Sequence, residues 1–161
     1  MPPFTAPNLA DLVKIIGRAQ ADVVIVGGIA MTLRGGSYVT YDIDVCYRRE
    51  PETIARLCRA LAPHSEYLRS AIFDIQTALL SEDMSLDTDL GRIDLLGALA
   101  GIGDYEQVLR VSQAMTVDDI SVQVLSLEGL IATKEAILRL KDQLHLPMLR
   151  ALKAMKDEEE L

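Results

Sequence analysis

The stretch from Val23 to Tyr47, VVIVGGIAMTLRGGSYVTYDIDVCY, constrains this chain more than any other. Val23 to Val26 is a continuous apolar run of the kind buried on both faces of a sheet. Gly27 and Gly28 follow at its end. Gly28 to Arg34 then reads as a short helix stopped by Gly35-Gly36, and Thr40 to Tyr47 as a second strand. Side chains two apart in a strand share a face, so Asp42 and Asp44 project together while Ile43 and Val45 turn the other way. Aspartate is a poor strand former, and neighbouring carboxylates repel. The pair therefore needs a reason.

A hard divalent cation supplies one. Mg²⁺ takes oxygen ligands, commonly one or two carboxylates plus substrate phosphates. Paired glycines let backbone N–H groups approach a phosphate at the start of a helix. A DxD alone is common, and the plain alternative is two solvated aspartates at a strand edge. Placed about fourteen residues after Gly27-Gly28, the pair predicts a metal-dependent enzyme acting on a nucleoside triphosphate.

Asp94 offers a third carboxylate. It stands in the apolar run Ile93-Asp94-Leu95-Leu96, where a buried charge is costly unless paired or metal-bound. Its alternative is an ion pair with Arg92 at a sheet edge. If its strand lies beside that of Asp42 and Asp44, three carboxylates converge, a set able to hold two ions that clamp an in-line displacement. Asp87 and Asp89 form a rival pair, but sit near the turn at Gly91 and read as solvated.

Lys134 falls on the apolar stripe of a late helix with Leu127, Leu130, Ile131 and Leu138, where it either snorkels to the surface or reaches an anion. Lys141-Asp142 continues that face near the helix end. Arg34 reads as a phosphate contact or as an ordinary helix C-terminal charge. Thr40 reads as a phosphate contact or a simple strand residue. His64 and His145 fit no metal spacing and read as surface residues. Cys46 follows the alternation of the aspartate pair but has no base to make it a nucleophile. Nothing resembles a Ser-His-Asp arrangement or a zinc site.

The remaining elements fill in a mixed α/β pattern. Asn8 caps a first helix through Leu9, Leu12, Val13, Ile16 and Ala19. Pro51 opens a helix to about Ala62. Ala71 to Leu80 admits helix or strand, with strand preferred. Ser85 to Leu96 reads as a hairpin turning near Leu90-Gly91, and Met115–Val117 with Ser121–Val124 as another around Asp118-Asp119. Tyr105 to Val111 is a short helix or strand. Helices from Ser126 to about Leu140 and from Pro147 to about Lys156 close the pattern. The fold class expected is α/β, a mixed β-sheet with antiparallel hairpins covered by helices.

At 161 residues the chain supports one well-buried core, expected over residues 1–156 with an acidic tail at 157–161. Asp157 to Glu160 supply four of the 24 acidic residues, so the net charge of −8 falls to near −4 without them. An acidic domain has no general pull toward nucleic acid, and no extended nucleic-acid groove is expected. No apolar run approaches the roughly 20 residues of a membrane span. The first residues lack the basic start and apolar centre of a secretory signal. Cys46 and Cys58 form no CxxC pair and read as reduced thiols. A cytoplasmic location, without membrane association, is expected.

The ordered motifs VVIVGGIAMTLRGG, T-Y-D-I-D-V, G-R-I-D-L-L and LEGLIATKEAILRLKDQLHLPMLRAL resemble the minimal nucleotidyltransferases of the DNA-polymerase-β-like superfamily. The nearest likeness is to the bacterial abortive-infection toxin–antitoxin nucleotidyltransferases, over residues 23 to 152. The resemblance implies that Gly27 and Gly28 cradle a triphosphate and that Asp42 and Asp44 bind metal. It implies that Asp94 completes the metal set and helps deprotonate the acceptor hydroxyl. Lys134, with Lys141 and Asp142, matches the late motif whose lysine approaches the nucleotide; Thr40 joins the nucleotide-binding set. The reaction implied is transfer of a nucleoside monophosphate to a hydroxyl with release of pyrophosphate, using Mg²⁺ or Mn²⁺. The acceptor is left open among tRNA, protein and small molecule.

Two positions depart from the pattern. Tyr38 stands where an arginine is common, and Arg139-Leu140-Lys141-Asp142 where Arg-Pro-Lys-Asp is frequent. A non-catalytic nucleotide-binding or regulatory module, such as a toxin–antitoxin component, is the alternative function. A third is an interaction protein that keeps only the fold.

Overall fold

Residues 8–137 and 139–161 are described by a computed structural model. Helix α1 (Leu9–Arg18) starts where the Asn8 side chain accepts from the Asp11 N–H at 3.1 Å. Strand β1 (Val23–Val26) runs directly into α2 (Gly27–Leu33), and β2 (Asp42–Tyr47) follows. Then come α3 (Pro51–Leu61), a 3₁₀ turn (Ala62–His64), α4 (Glu66–Arg69) and α5 (Ile75–Leu80). The hairpin β3 (Asp83–Thr88) and β4 (Gly91–Leu96) leads to the short pair β5 (Ala98–Leu99) and β6 (Gly103–Asp104). Helix α6 (Tyr105–Arg110), the hairpin β7 (Ser112–Val117) and β8 (Ile120–Leu125), α7 (Leu127–Ala136) and α8 (Leu140–Glu159) complete the order.

Six strands form one mixed sheet in the order β3-β4-β2-β1-β8-β7. β1 pairs antiparallel with β2 and parallel with β8, while β2 pairs parallel with β4. The parallel register sets Asp42 beside Arg92, Asp44 beside Asp94 and Cys46 beside Leu96. Ile43, Val45, Ile93 and Leu95 point to the opposite face and are buried. Helix α1 packs on β8, β2 and α3, closing that core face. α2 lies against β1 and β2 and meets α7, framing the acidic face. The expected α/β class is found. No helix among the described residues is long and apolar enough to cross a membrane.

Several local expectations give way. The strand preferred over 71–80 is helix α5, because Asp74 caps it, accepting from the Thr77 N–H at 3.1 Å and the Thr77 hydroxyl at 2.9 Å. The two late helices divide differently: α7 ends at Ala136, and α8 begins at Leu140 rather than Pro147. Pro147 lies inside α8, exposed, where it removes one donor without ending the helix. Lys141 and Asp142 therefore open a second helix instead of finishing the first, and Leu138 lies outside the described residues. β2 starts at Asp42, two residues after Thr40. Asp157 to Glu159 form the last helical turn of α8. The β7–β8 turn holds Asp118 and Asp119 at φ 46° and 67°, the left-handed pair a two-residue hairpin demands.

Candidate active site

One cavity of about 410 Å³ gathers Gly27, Gly28, Thr40, Asp42, Asp44, Asp94, Lys134 and Lys141, with Tyr38 and Arg139 beside them. Its floor is apolar, supplied by Val26, Met31, Leu125 and Leu130. A more voluminous groove, about 1360 Å³, lies between the end of α1, α3 and α5. Its Arg56 is already paired with Glu52 at 2.9 Å, and its carboxylates, Glu50, Glu52 and Asp74, stand at helix starts and not side by side on sheet strands.

The sheet register builds the acidic centre. Asp44 and Asp94 are lateral neighbours on parallel strands, and Asp42 sits one pleat along. Burial first, then the charges of Asp94 and Asp42, push the Asp44 carboxyl up to about 6, opposed by Lys134. Gly27 has φ +64°, and a Cβ there would collide with the Asp44 carboxylate, so the glycine turn is in contact with the acids. At Gly28 a Cβ would lie 2.5 Å from the Tyr38 ring. Tyr38 is itself edge-on to the His145 ring, centroids 4.7 Å apart.

Asp94 is engaged on its outer side. The Ser85 hydroxyl donates to its Oδ1 at 2.5 Å, Arg92 Nε donates to the same oxygen at 3.2 Å, and Arg92 Nη2 donates to Ser85 Oγ at 3.0 Å. The Arg92 pairing is thus present, but β4 is an interior strand, with β3 at the edge. Thr40 turns its hydroxyl to its own chain, donating to the Asp42 carbonyl at 3.0 Å and accepting from the Asp42 N–H at 3.3 Å. It lines the cavity while bracing the start of β2.

The cationic wall centres on Asp142, which is fully buried at 0% exposure. Lys134, its side chain 11% exposed, reaches it at 2.5 Å, and Arg139 at 2.7 Å. Burial alone would raise the Asp142 carboxyl, but hydrogen bonds from Lys134 and Arg139 outweigh it and hold it below the usual carboxylate range. This knot ties the end of α7 to the start of α8 and fixes Lys134 at the cavity wall. Lys141 lies exposed at the mouth.

Other candidates fall away from the cavity. Arg34 neither contacts it nor acts as a simple terminal charge: it donates to the carbonyls of Leu125 at 3.1 Å and Val124 at 2.9 Å, and to Gln113 at 3.1 Å, holding the end of β8. Asp87 and Asp89 are exposed, Asp89 meeting His64 at 2.7 Å. His145 corrects its surface reading, being half-buried with an Nδ1 that has no partner among the described residues. Cys46 is buried, and burial, then the charges of Asp104 and Asp83, push its thiol up to about 12. Such a thiol is a poor nucleophile.

Ser85 and the bridging role of Asp142 escaped sequence reasoning, whereas the Arg92 pairing was among the alternatives for Asp94. Ser85 lies on a neighbouring strand opposite Asp94, and only the strand register reveals it. Asp142 lies eight residues beyond Lys134, across a helix break no periodicity marks.

The donor set suits a hard dication in type. Asp42, Asp44 and Asp94 offer carboxylate oxygens, and the crowding that raises Asp44 is what a cation relieves. As the side chains stand, no group of three or more His, Cys, Asp or Glu among the described residues is drawn into a cation-holding cluster. The outward engagement of Asp94 with Ser85 and Arg92 accompanies that open arrangement.

No protein-family profile matches the chain, and no curated protein matches it. Among solved structures it is similar to the crystal structure of a "putative nucleotidyltransferase (TM1012)" from Thermotoga maritima, with TM-score 0.53 and 18% identity. The match covers 94% of this chain and 90% of that one. At this identity the likeness is one of fold, and the chain shares the mixed-sheet architecture of that nucleotidyltransferase-like protein.

Proposed function

We propose that the protein is a divalent-metal-dependent nucleotidyltransferase, moving a nucleoside monophosphate from a nucleoside triphosphate to an acceptor hydroxyl and releasing pyrophosphate. The observation that carries this reading is the lateral pairing of Asp44 with Asp94, one pleat from Asp42, against the Gly27-Gly28 turn. Asp42, Asp44 and Asp94 would hold Mg²⁺ or Mn²⁺, which supplies charge neutralisation at the transferring phosphoryl group. Gly27 and Gly28, at the start of α2, would offer backbone N–H groups to the phosphates. Lys134 and Lys141 supply positive charge at the cavity wall, and Thr40 braces the strand that carries the acids. Asp94 accepts the proton of the acceptor hydroxyl.

The acceptor class stays open among tRNA, protein and small molecule, and the two free cysteines support placing the protein in the cytoplasm. Incubation with each α-labelled triphosphate, Mg²⁺ or Mn²⁺ and whole-cell lysate tests the reading. Metal-dependent labelling that disappears with Asp44→Ala supports it; labelling indifferent to that substitution defeats it.

One observation favours a second reading, a nucleotide-binding regulatory module, such as one half of a toxin–antitoxin pair. Lys134 donates to Asp142, and Asp94 accepts from Ser85 and Arg92. Calorimetry showing triphosphate binding without pyrophosphate release would select it.

A further inference from the structure

Helix α8 carries two apolar sides. Its inner side, Leu146 and Leu149 with the Asp142 knot, is buried against the domain. Its outer side is also apolar and faces solvent. Leu140, Leu144 and Met155 are 73%, 69% and 60% exposed, and Pro147 and Ala151 between them are exposed too. Steps of four, three, four and four residues keep all five on one helical stripe. The stripe runs most of a 20-residue helix, roughly 30 Å long. A surface helix normally turns charged residues to water, and a contiguous apolar stripe marks an interface.

The charges identify the occupant. At the start of α8 Arg139 and Asp142 answer each other and leave Lys141 as the exposed charge. At its end Asp157, Glu158, Glu159 and Glu160 outnumber Lys153 and Lys156, so the balance is basic at the start and acidic at the end. This is opposite to what the helix dipole favours, which is negative charge at the N-terminus and positive charge at the C-terminus. Asp157 is answered inside the helix by Lys153 at 2.9 Å, whereas Glu158 to Glu160 make no ion pair among the described residues. Glu158 continues the apolar stripe, three residues past Met155.

We propose that this stripe is a homodimer interface, in which α8 packs antiparallel on α8 of a second copy about a two-fold axis near Pro147. That axis sets Leu140 against Met155 and Leu144 against Ala151, each contact occurring twice, as an isologous interface requires. The net acidic end of each helix then lies by the start of the other, where Lys141 is exposed, and the unfavourable charge balance of each helix is offset between copies. A parallel pair would stack acid on acid and base on base. The interface flanks the cavity, because Arg139 and Lys141 line its mouth. The inference does not depend on the proposed reaction.

Sedimentation equilibrium of the full chain over a concentration series tests it. A reversible monomer–dimer equilibrium is expected. Leu144→Glu should raise the dimer dissociation constant by about tenfold or more, with circular dichroism and melting confirming that the variant folds. Glu158→Lys with Glu159→Lys should weaken the dimer less and reduce its salt dependence. Mixing Leu144→Cys chains with Ala151→Cys chains should give the mixed disulfide in preference to either homotypic one. Dominant Leu144→Cys self-linking would mean a parallel pair and overturn the proposal. So would a chain that stays monomeric throughout, a dimer indifferent to Leu144→Glu, or a monomer whose stripe binds only a different protein.

Discussion

Asp44 lines the cavity and Asp142 lies buried behind its Lys134 and Arg139 wall, and the two aspartates have opposite electrostatic fates. Asp44 stands among like charges, and burial with Asp94 and Asp42 drives its carboxyl up to about 6. Asp142 is more deeply buried, yet Lys134 and Arg139 hold its carboxyl low. The difference lies in the partners, not the burial. A carboxylate with its cations built in holds structure together, whereas one left among other acids is poised for a cation from outside. The molecule thus keeps an aspartate with built-in cations behind the cavity wall and a crowded one on the cavity surface.

The comparison can be broken most sharply by removing the crowded acid. Asp44→Ala should lower nucleotide transfer by about 10³-fold or more, as loss of a key electrostatic group does, read from labelled product at saturating metal. Next in size, Asp142→Ala should destabilise the fold by about 3 kcal/mol, because it leaves Lys134 buried without a counter-charge. Urea denaturation measures this, and a change under about 1 kcal/mol would show that the knot is not structural.

A smaller effect has the opposite sign. A carboxyl raised from 3.8 to about 6 on folding binds its proton more tightly in the folded chain. The stability it contributes is fully present below about pH 4 and is lost as pH rises through about 6. Asp44→Asn should therefore stabilise the metal-free protein above that range by on the order of 2 kcal/mol. Asp142 behaves inversely: its stabilisation is present above the ordinary carboxylate range and disappears as pH falls through its depressed folded value. Melting curves from pH 4 to 8 on the two Asn variants should diverge in these directions. Smallest of all, Asp89→Asn, which touches only the exposed His64 pair, should change stability by less than about 1 kcal/mol and leave transfer unaltered.

Much of this was legible in the residues. The β1–α2–β2 unit declared itself because period-two alternation, a glycine pair and an apolar run are local signals. Asp42 and Asp44 share a face by strand geometry alone. Where local signals were ambiguous, capping decided: Asp74 made a helix of 75–80 within a stretch for which strand was preferred. At α7 and α8, a helical pattern running to about Leu140 placed the break between the two helices too late, and Pro147 sits within a helix rather than opening one. Periodicity reports which residues suit a helix, and the Lys134–Asp142–Arg139 knot reports where two helices are joined.

The linear chain by itself settled the α/β class, the β1–α2–β2 unit and the shared face of Asp42 and Asp44, since these follow from steric alternation and the chemistry of neighbouring residues. Only the tertiary structure decided that β4 lies parallel beside β2, so that Asp94 meets Asp44 across fifty residues of chain. It also decided that Ser85 and Arg92 hold the outer oxygen of Asp94, and that Asp142 answers Lys134. Strand order and side-chain partnership depend on burial and charge summed over the whole molecule, and no short window of sequence contains them.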